Sequence, residues 1–411
     1  MVKEFMVKEK NVLVVGAGNA GRPVANLLNH LNNKVTVTDI TPFSKLPKKA
    51  QKKIEILKKR EISFELGKHD ESLLDSVDAI YISPNIPKNS SFIKKIHEIA
   101  KTDPSKFQII SNRDIGKILN SLIPIPMIGI AGTDGKTTTT NMINFELEDK
   151  FNTLVFSSLQ DSLVIEGLIE MVTNSKSNNE ELAILELPHG TIRMADGLEL
   201  DAAVITNLTP DHMDEFNTYE EYIQRNIAIE KLLKDNGLVI ANGDDPIISS
   251  RLNSFSHDYV VYGLDNPQKI TFNSSDYFNE NVNYDIIAKD IELNGVNGSK
   301  FKIIAKNEIP TLICKNCNEI DCKCGNFQRK TIHPFEKEIA IKVPGLVNVE
   351  NTLTTIIASL IFGIDIDSSI KRIATFNGVK GRFEKIANID EINIFMDAAH
   401  NPESMEKLFN G

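Results

Sequence analysis

Short apolar runs alternate with amphipathic stretches along most of the chain, the pattern of strands and helices in succession. Residues 11–15 (NVLVV) are a continuous apolar run that predicts a buried strand. A glycine turn follows, then a helical stretch over 22–31 and a second strand over 34–38 that ends at Asp39. Strand-like runs at 78–83 and 107–111, separated by polar or helical segments, suit a small doubly wound sheet that closes near residue 123. The segment IPIPMIGIAG then places two prolines ahead of a strand at 127–131, so a linker gives way to a second sheet. Further strands are expected at 182–186, 202–206, 237–241 and 259–262, which makes this a larger α/β domain.

Between about 265 and 342 the pattern shifts to short strands with Asn, Gly and Ser turns. From VPGLVNVENTLTTIIASLIFG the chain becomes helical with apolar spacing, and NIFMDAAHNPES predicts a strand followed by a helix start. Three domains are therefore expected, at 1–123, 124–342 and 343–411. The last holds about 70 residues, less than a usual domain, and is expected to be partial.

Composition narrows the class. With 41% hydrophobic and 25% charged residues the chain is globular, and no apolar run is long enough to cross a bilayer. The start MVKEFMVKEK lacks the apolar core of a secretory signal, so a cytoplasmic, monomeric protein without a membrane partner is expected. A net charge of -10 argues against a general nucleic-acid binder, which needs a basic surface to displace counterions.

Two glycine loops carry candidate chemistry. Gly132-Thr133-Asp134-Gly135-Lys136-Thr137, followed by Thr138, lies between a strand and a helix, where backbone N–H groups surround phosphates and a lysine adds a point charge. Thr137 is placed to ligate Mg²⁺. The spacing departs from the strict Walker form, because Ile130 stands five residues before Gly135. The alternative is a glycine-rich turn that binds nothing. Gly16, Gly18 and Gly21, with Asn19 inside the loop and Asp39 after the next strand, satisfy the dinucleotide fingerprint. That loop alone fits an NAD-dependent oxidoreductase or a packing-only turn equally well.

Glu186 ends one apolar strand and His212 follows another, so both can face the phosphate loop across a sheet edge and hold metal there. Either alone is an ordinary strand-end polar residue, and Asp211 suits a helix cap. All four cysteines, Cys314, Cys317, Cys322 and Cys324, fall within eleven residues. Four soft ligands in one hairpin-sized loop suit a closed, structural Zn²⁺ site better than a disulfide framework.

In order, GTDGKTTTT, ILEL around Glu186, TNLTPDHMDEF, NGDDP, VPGLVNVEN, GRFE and DAAHNPES resemble the Mur ligases, from about residue 125 to the end. This family includes the peptide-adding enzymes of bacterial cell-wall precursors, folylpolyglutamate synthase and cyanophycin synthetase. The front half, from VLVVGAGNAGRPVANLL to ISPNIP, is similar to the UDP-binding domain of the glutamate-adding cell-wall ligase. The resemblance implies a three-domain α/β architecture: an N-terminal Rossmann-like domain for a UDP-linked substrate, a central P-loop ATPase domain with a cysteine-bearing insert, and a C-terminal Rossmann-like domain. It implies an ATP- and Mg²⁺-dependent, ADP-forming ligase that activates a carboxylate as an acyl phosphate and joins it to an amino acid. Carried over by position, Lys136 grips the β- and γ-phosphates, Thr137 and Glu186 hold one Mg²⁺, and His212 helps hold a second. Asn348 and Asn351 match adenine-contacting asparagines, Arg382 and Asp397 match third-domain residues that reach the nucleotide, and His400 lies in the same motif. Where many members carry a lysine that becomes a carbamate, this chain has Asn226; Lys231 is the nearby substitute to weigh. The front end, cysteine insert and Lys/Asn/Ile-rich composition together resemble the archaeal pseudomurein peptide ligases, while LPHGTIRMADGLEL is similar to cyanophycin synthetase and leaves polyglutamate or cofactor pathways open.

Overall fold

The computed structural model describes residues 8–159, 164–174, 179–265, 282–320, 322, 327–390, 392–399 and 405. The expected helix start after DAAHNPES, His400 and Cys324 lie outside the described residues. The chain divides into two compact units, and each is described by itself.

The first unit comprises Met1–Pro124, Gln160–Asn178 and Arg193–Glu199. Its sheet is built from β1 (Asn11–Val15), β2 (Lys34–Asp39), β3 (Ser63–Leu66), β4 (Ala79–Ile82) and β5 (Gln108–Ile110). All neighbours are parallel in the order β3-β2-β1-β4-β5, so the chain reverses direction of winding beside β1. Val12 to Val15 are at most 1% exposed, which is why this strand reads as an unbroken apolar run: helices cover both faces. One covering helix, Val164–Thr173, comes from far along the chain. Thr173 accepts from Asn26 at 2.8 Å, and Glu166 pairs with Lys53. Two segments from later in the chain thus complete this unit.

The second unit comprises Ile125–Leu159, Asn179–Ile192 and Leu200–Gly411. Its main sheet uses β6 (Met127–Ala131), β7 (Thr153–Phe156), β8 (Leu182–Glu186), β9 (Leu200–Ile205), β10 (Leu233–Asn242), β11 (Asp258–Leu264), β12 (Ile286–Leu293) and β13 (Ser299–Ala305). A hairpin of β14 (Ile309–Cys314) and β15 (Arg329–Ile332) precedes β16 (Phe335–Ile341), which returns to the main sheet. The order is β16-β13-β12-β11-β10-β9-β6-β8-β7, parallel from β7 to β12 and antiparallel beyond. The β-rich stretch expected after residue 265 thus extends the parallel sheet as well as forming a separate hairpin.

Helix Leu346–Ile361 lies in the core of this unit. Its Val349, Leu353, Ile356, Ile357 and Leu360 join Met142, Ile143 and Leu147 of helix Lys136–Leu147 in one buried cluster. A helix apolar on nearly every face belongs inside a core, and each such side chain contributes about 1.5–3 kcal/mol by burial. The packing holds the two helices side by side, which matters for the site at their amino ends. A last hairpin, β17 (Glu384–Ile389) with β18 (Ile392–Met396), realises the strand expected in NIFMDAAHNPES.

Candidate active site

β6 sits between β8 and β9, so the crevice at its carboxyl end is a topological switch point of the kind where open α/β sheets collect ligands. The glycine loop fills that crevice. Gly135 caps helix Lys136–Leu147 at φ +80°, a left-handed conformation suited to glycine, and offers no side chain to the helix's first turn. Those N–H groups have no intrahelical acceptor, and the helix dipole makes their end attractive to an anion. A Cβ on Gly132 would meet Thr206 Oγ1 at 2.1 Å, so only glycine lets the loop lie this close to the strand beside it.

The loop is held from behind by the segment after β9. Thr133 N–H donates to the Asn207 carbonyl at 2.8 Å and Asp134 N–H to Asn207 Oδ1 at 2.9 Å. Thr206 Oγ1 donates to the Asp134 carbonyl at 2.7 Å, and the Thr133 hydroxyl lies 2.8 Å from the Tyr222 hydroxyl. The loop is therefore preorganised by TNLTP, a role the sequence motif alone did not reveal.

In front of the loop is a cavity of about 360 Å³. Every residue expected at the nucleotide site borders it except Gly132: Thr133, Asp134, Gly135, Lys136, Thr137, Thr138, Glu186, His212, Asn348, Asn351, Arg382 and Asp397. Lys136 is partly buried and donates to the Thr133 carbonyl at 2.5 Å. Burial pulls its pKa down, opposed by the negative charges of Glu186, Asp134 and Asp211. The Thr137 hydroxyl lies 3.0 Å from Glu186 Oε1 and 2.6 Å from Ser158 Oγ, and Ser158 N–H donates to Glu186 Oε2 at 2.7 Å. Glu186 is 3% exposed, a buried carboxylate beside a hydroxyl and an ammonium group. Hard oxygen donors in that arrangement fit a Mg²⁺ ion next to a phosphate.

Asn351 is buried at the amino end of its helix, accepting from Thr139 Oγ1 at 3.1 Å and donating to Asn348 Oδ1 at 3.2 Å. Asn348 in turn donates to the Pro344 carbonyl at 2.6 Å. Arg382 Nη2 donates to the Thr137 hydroxyl at 3.1 Å. Asp397 accepts from the backbone N–H of Phe383 at 2.6 Å and of Ala399 at 2.7 Å, which ties the Arg382 turn to β18's end.

Asn226, at the position weighed for a carbamate, is fully buried with its Nδ2 on the Tyr222 carbonyl at 3.0 Å. Lys231 is exposed. Beside His212 stand two residues that sequence reading passed over, His189 and Glu215, whose ligand atoms lie within 4.8 Å of one another and of His212. Burial lowers the His189 pKa, and the nearby Glu215 opposes that shift. The position of His189, three residues past Glu186, was the available signal.

In the first unit Gly16 adopts φ +106°, and its N–H donates to the Thr38 carbonyl at 2.8 Å. A Cβ on Gly21 would fall 1.9 Å from the Gly16 carbonyl oxygen, so the third glycine of the fingerprint serves close helix–loop packing. Asp39 accepts from Ala17 N–H at 2.7 Å and from Thr41 N–H at 2.8 Å, which makes it a brace of the loop. Buried Arg22, also passed over, donates to the Ala17 carbonyl and to Asn19 Oδ1 at 2.9 Å. Around Gly18 there is open space.

Among the cysteines, Cys314, Cys317 and Cys322 bring their Sγ atoms within 4.8 Å of one another at the end of β14. Backbone N–H groups, led by that of Gln328, lower the Cys314 thiol to about 6. Tetrahedral zinc with bonds near 2.3 Å sets sulfurs about 3.8 Å apart, and these three lie within a separation of that order.

A strand, glycine loop and helix at a switch point, with a lysine and a buried carboxylate on one cavity, define an α/β P-loop domain. The chain belongs to the Mur ligase family of ATP-dependent ligases: the family profile described as Mur ligase middle domain matches residues 130–359. It is 51% identical over 267 residues to an uncharacterized protein of Methanothermobacter thermautotrophicus, covering 65% of this chain and 84% of that one. It is 22% identical to the UDP-N-acetylmuramoylalanine–D-glutamate ligase of Geobacter metallireducens, over 98% of this chain and 75% of the relative. Among solved structures it resembles a pseudomurein peptide ligase type C from Methanothermus fervidus, with 25% identity, TM-score 0.52, and coverage of 98% of this chain and 77% of that one. Among the described residues no helix is long and apolar enough to cross a membrane.

Proposed function

We propose that the protein is an ADP-forming acid–amino acid ligase that activates the carboxylate of a UDP-linked peptide precursor as an acyl phosphate and adds an amino acid, in pseudomurein synthesis. The observation that carries this reading is the gathering of Lys136, Thr137, Glu186 and Arg382 on one cavity at the amino end of a helix. The likeness to the Methanothermus fervidus ligase supports the pathway.

In this reading the substrate carboxylate attacks the γ-phosphorus of ATP and ADP leaves; the amine then attacks the acyl carbon and phosphate leaves. Lys136 and the first-turn N–H groups cradle the β- and γ-phosphates, and Asn348 and Asn351 face the base. Thr137 and Glu186 would hold one Mg²⁺ and His212 would help hold a second; when bound, these ions neutralise charge on the transferred oxygens. Arg382, positioned through the turn that Asp397 braces, adds a further cation on those oxygens and helps exclude water. The loop of Gly16, Gly18, Asn19 and Gly21, with Asp39 holding its shape, would take the UDP moiety. The domain assignment that accompanies this reading is 1–123 for the UDP-linked substrate, 124–342 for ATP and 343–411 for closure over the amino acid. Cys314, Cys317 and Cys322, with Cys324, would hold a structural Zn²⁺.

ADP release, screened over a panel of amino acids with UDP-linked peptides, folates and other acids as acceptors, tests the reading. Activity is expected with the UDP-peptides and is expected to vanish in Lys136→Ala; a fully active Lys136→Ala chain removes it. Elemental analysis of the purified chain is expected to show one zinc, lost in Cys314→Ser.

A further inference from the structure

We propose that the outer face of helix Lys48–Lys58, in the first unit, is a docking surface for an anionic membrane, which the protein meets peripherally. The proposal is independent of the ligase reading, and none of the residues that line the nucleotide cavity belongs to this helix.

The net charge of -10 conceals a local excess of the opposite sign. Residues 45–60 (KLPKKAQKKIEILKKR) carry eight Lys and Arg against the single Glu55, a net charge of +7, so the other 395 residues carry -17. The helix buries Ala50, Ile54 and Leu57 against the unit. Lys53 pairs with Glu166, and Arg60 donates to Asn26 Oδ1 at 2.8 Å and to Asn174 Oδ1 at 2.7 Å, so these two cations are committed within the unit. Lys58 lies 3.0 Å from Glu55 and over the ring of Phe43. Lys48, Lys52, Ile56 and Lys59 follow one another at spacings of four, four and three, which at about 100° per residue puts them on one stripe opposite the buried one. All four are exposed, Ile56 by 54%, and the stripe is about 17 Å long. Lys45, in the turn before it, is exposed too. Among the described residues none of Lys45, Lys48, Lys52 and Lys59 has a carboxylate partner.

A solvated helix face is the bland alternative, but such faces mix signs at i,i+4 and gain stability from it. Here Lys48 and Lys52 stand at that spacing and repel each other. Lys48 and Lys49 also occupy the first turn, which holds no acidic residue, and Pro47 at the N-cap offers no side-chain bond. Cations at that end oppose the helix dipole. Both costs fall when the face rests on a negative plane, so the pattern matches an anionic partner better than it matches water.

A bilayer surface rich in acidic headgroups is the occupant this face fits. Each lysine close to such a surface contributes about fivefold to binding, and the long stems let the ammonium groups reach lipid phosphates while Ile56 enters the headgroup layer. The acidic remainder of the chain lies mostly beyond a Debye length of about 8–10 Å, where salt screens it, so it orients the protein with this helix down and does not prevent contact. Nucleic acid is a poorer match: no aromatic side chain stands on the stripe to stack on a base, since Phe43 is covered by Lys58, and a row of lysines reads no base edge. A second copy would supply acid, but a stripe one helix wide falls short of the roughly 800 Å² per partner that a stable interface buries.

The test sediments the full chain with vesicles of equal parts phosphatidylglycerol and phosphatidylcholine, and with vesicles of phosphatidylcholine alone. Binding is expected to the first and not to the second, and is expected to disappear as salt rises from about 0.1 M to about 0.5 M. Lys48→Ala, Lys52→Ala and Lys59→Ala should each weaken it by about fivefold, and Lys48→Glu, Lys52→Glu and Lys59→Glu combined by about 10²-fold or more. The charge-matched control combines Lys88→Glu, Lys94→Glu and Lys101→Glu, at exposed lysines elsewhere on the unit, and should keep most of the binding. Circular dichroism checks that both combined variants fold; should the first not fold, the three Ala variants carry the test. No sedimentation with either vesicle, equal sedimentation with both, or an equal loss in the control overturns the proposal. So does a labelled single-stranded RNA, or a salt-sensitive dimer, that depends on the same three lysines while vesicles go unbound. ADP release enters none of these arms, so the ligase reading stands or falls separately.

Discussion

Arg382 donates to the hydroxyl of Thr137 at 3.1 Å, joining two residues 245 positions apart in the chain. A guanidinium only donates, so the hydroxyl oxygen accepts from it and its single hydrogen is left for Glu186 or Ser158. The contact places a permanent cation on the first turn of the phosphate-loop helix. Arg382→Ala is expected to lower kcat for ADP release by about 10²-fold or more, as removal of a preorganised charge donor does. Arg382→Lys should recover only part of it, because an ammonium group lacks the planar fork. Steady-state kinetics decides: a rise in KM with kcat unchanged would make Arg382 a ground-state binder only.

Thr137→Val keeps the shape of the side chain and removes the oxygen between Glu186 and Arg382. It should raise the Mg²⁺ concentration needed for half-maximal ADP release by about tenfold, while Thr137→Ser stays near wild type. A Mg²⁺ titration of the three proteins checks this; equal midpoints would take Thr137 out of the metal shell.

Glu146 lies on the buried side of helix Lys136–Leu147, where Ser359 Oγ donates to its Oε2 at 3.3 Å and Oε1 has no partner. Burial pushes its pKa up to about 7. Because the folded chain holds this proton more tightly than the unfolded chain, the linked stability is complete below pH 4.5 and is lost as pH rises through 7. Glu146→Gln should remove that loss, leaving the variant about 1–3 kcal/mol more stable than wild type at pH 8 and similar below pH 4.5. Urea unfolding at both pH values measures it, and parallel stability curves would count against it.

Gly21→Ala tests the first unit. Its added methyl would lie 1.9 Å from the Gly16 carbonyl, so loop and helix must separate. A loss of about 2 kcal/mol or more is expected from overpacking against backbone. Gly18→Ala, with nothing within 4 Å of the added carbon, should be nearly neutral for stability. Urea midpoints of the two variants give the comparison, and equal values would remove the packing role of Gly21.

Local periodicity determined most of the strands. The runs at 11–15, 127–131 and 182–186 coincide with β1, β6 and β8, since strands buried on both faces have no polar side to blur them. The glycine loop before helix Lys136–Leu147 was equally legible, because a left-handed glycine ahead of a helix is a local requirement. Helix Leu346–Ile361 shows the limit. Its apolar surface announced burial, but nothing local named the partner, and only packing against helix Lys136–Leu147 put Asn351 beside Gly135, with Asn351 Oδ1 2.7 Å from where a Cβ would stand.

The sequence alone thus determined the parallel α/β class and the two glycine loops, set by backbone conformation and by period within a few residues. Tertiary structure alone decided that Arg382 meets Thr137, that His189 and Glu215 join His212, and that segments 160–178 and 193–199 return to the first unit. Those relations depend on which distant surfaces bury one another, a property of the whole chain's packing that no short window of residues carries.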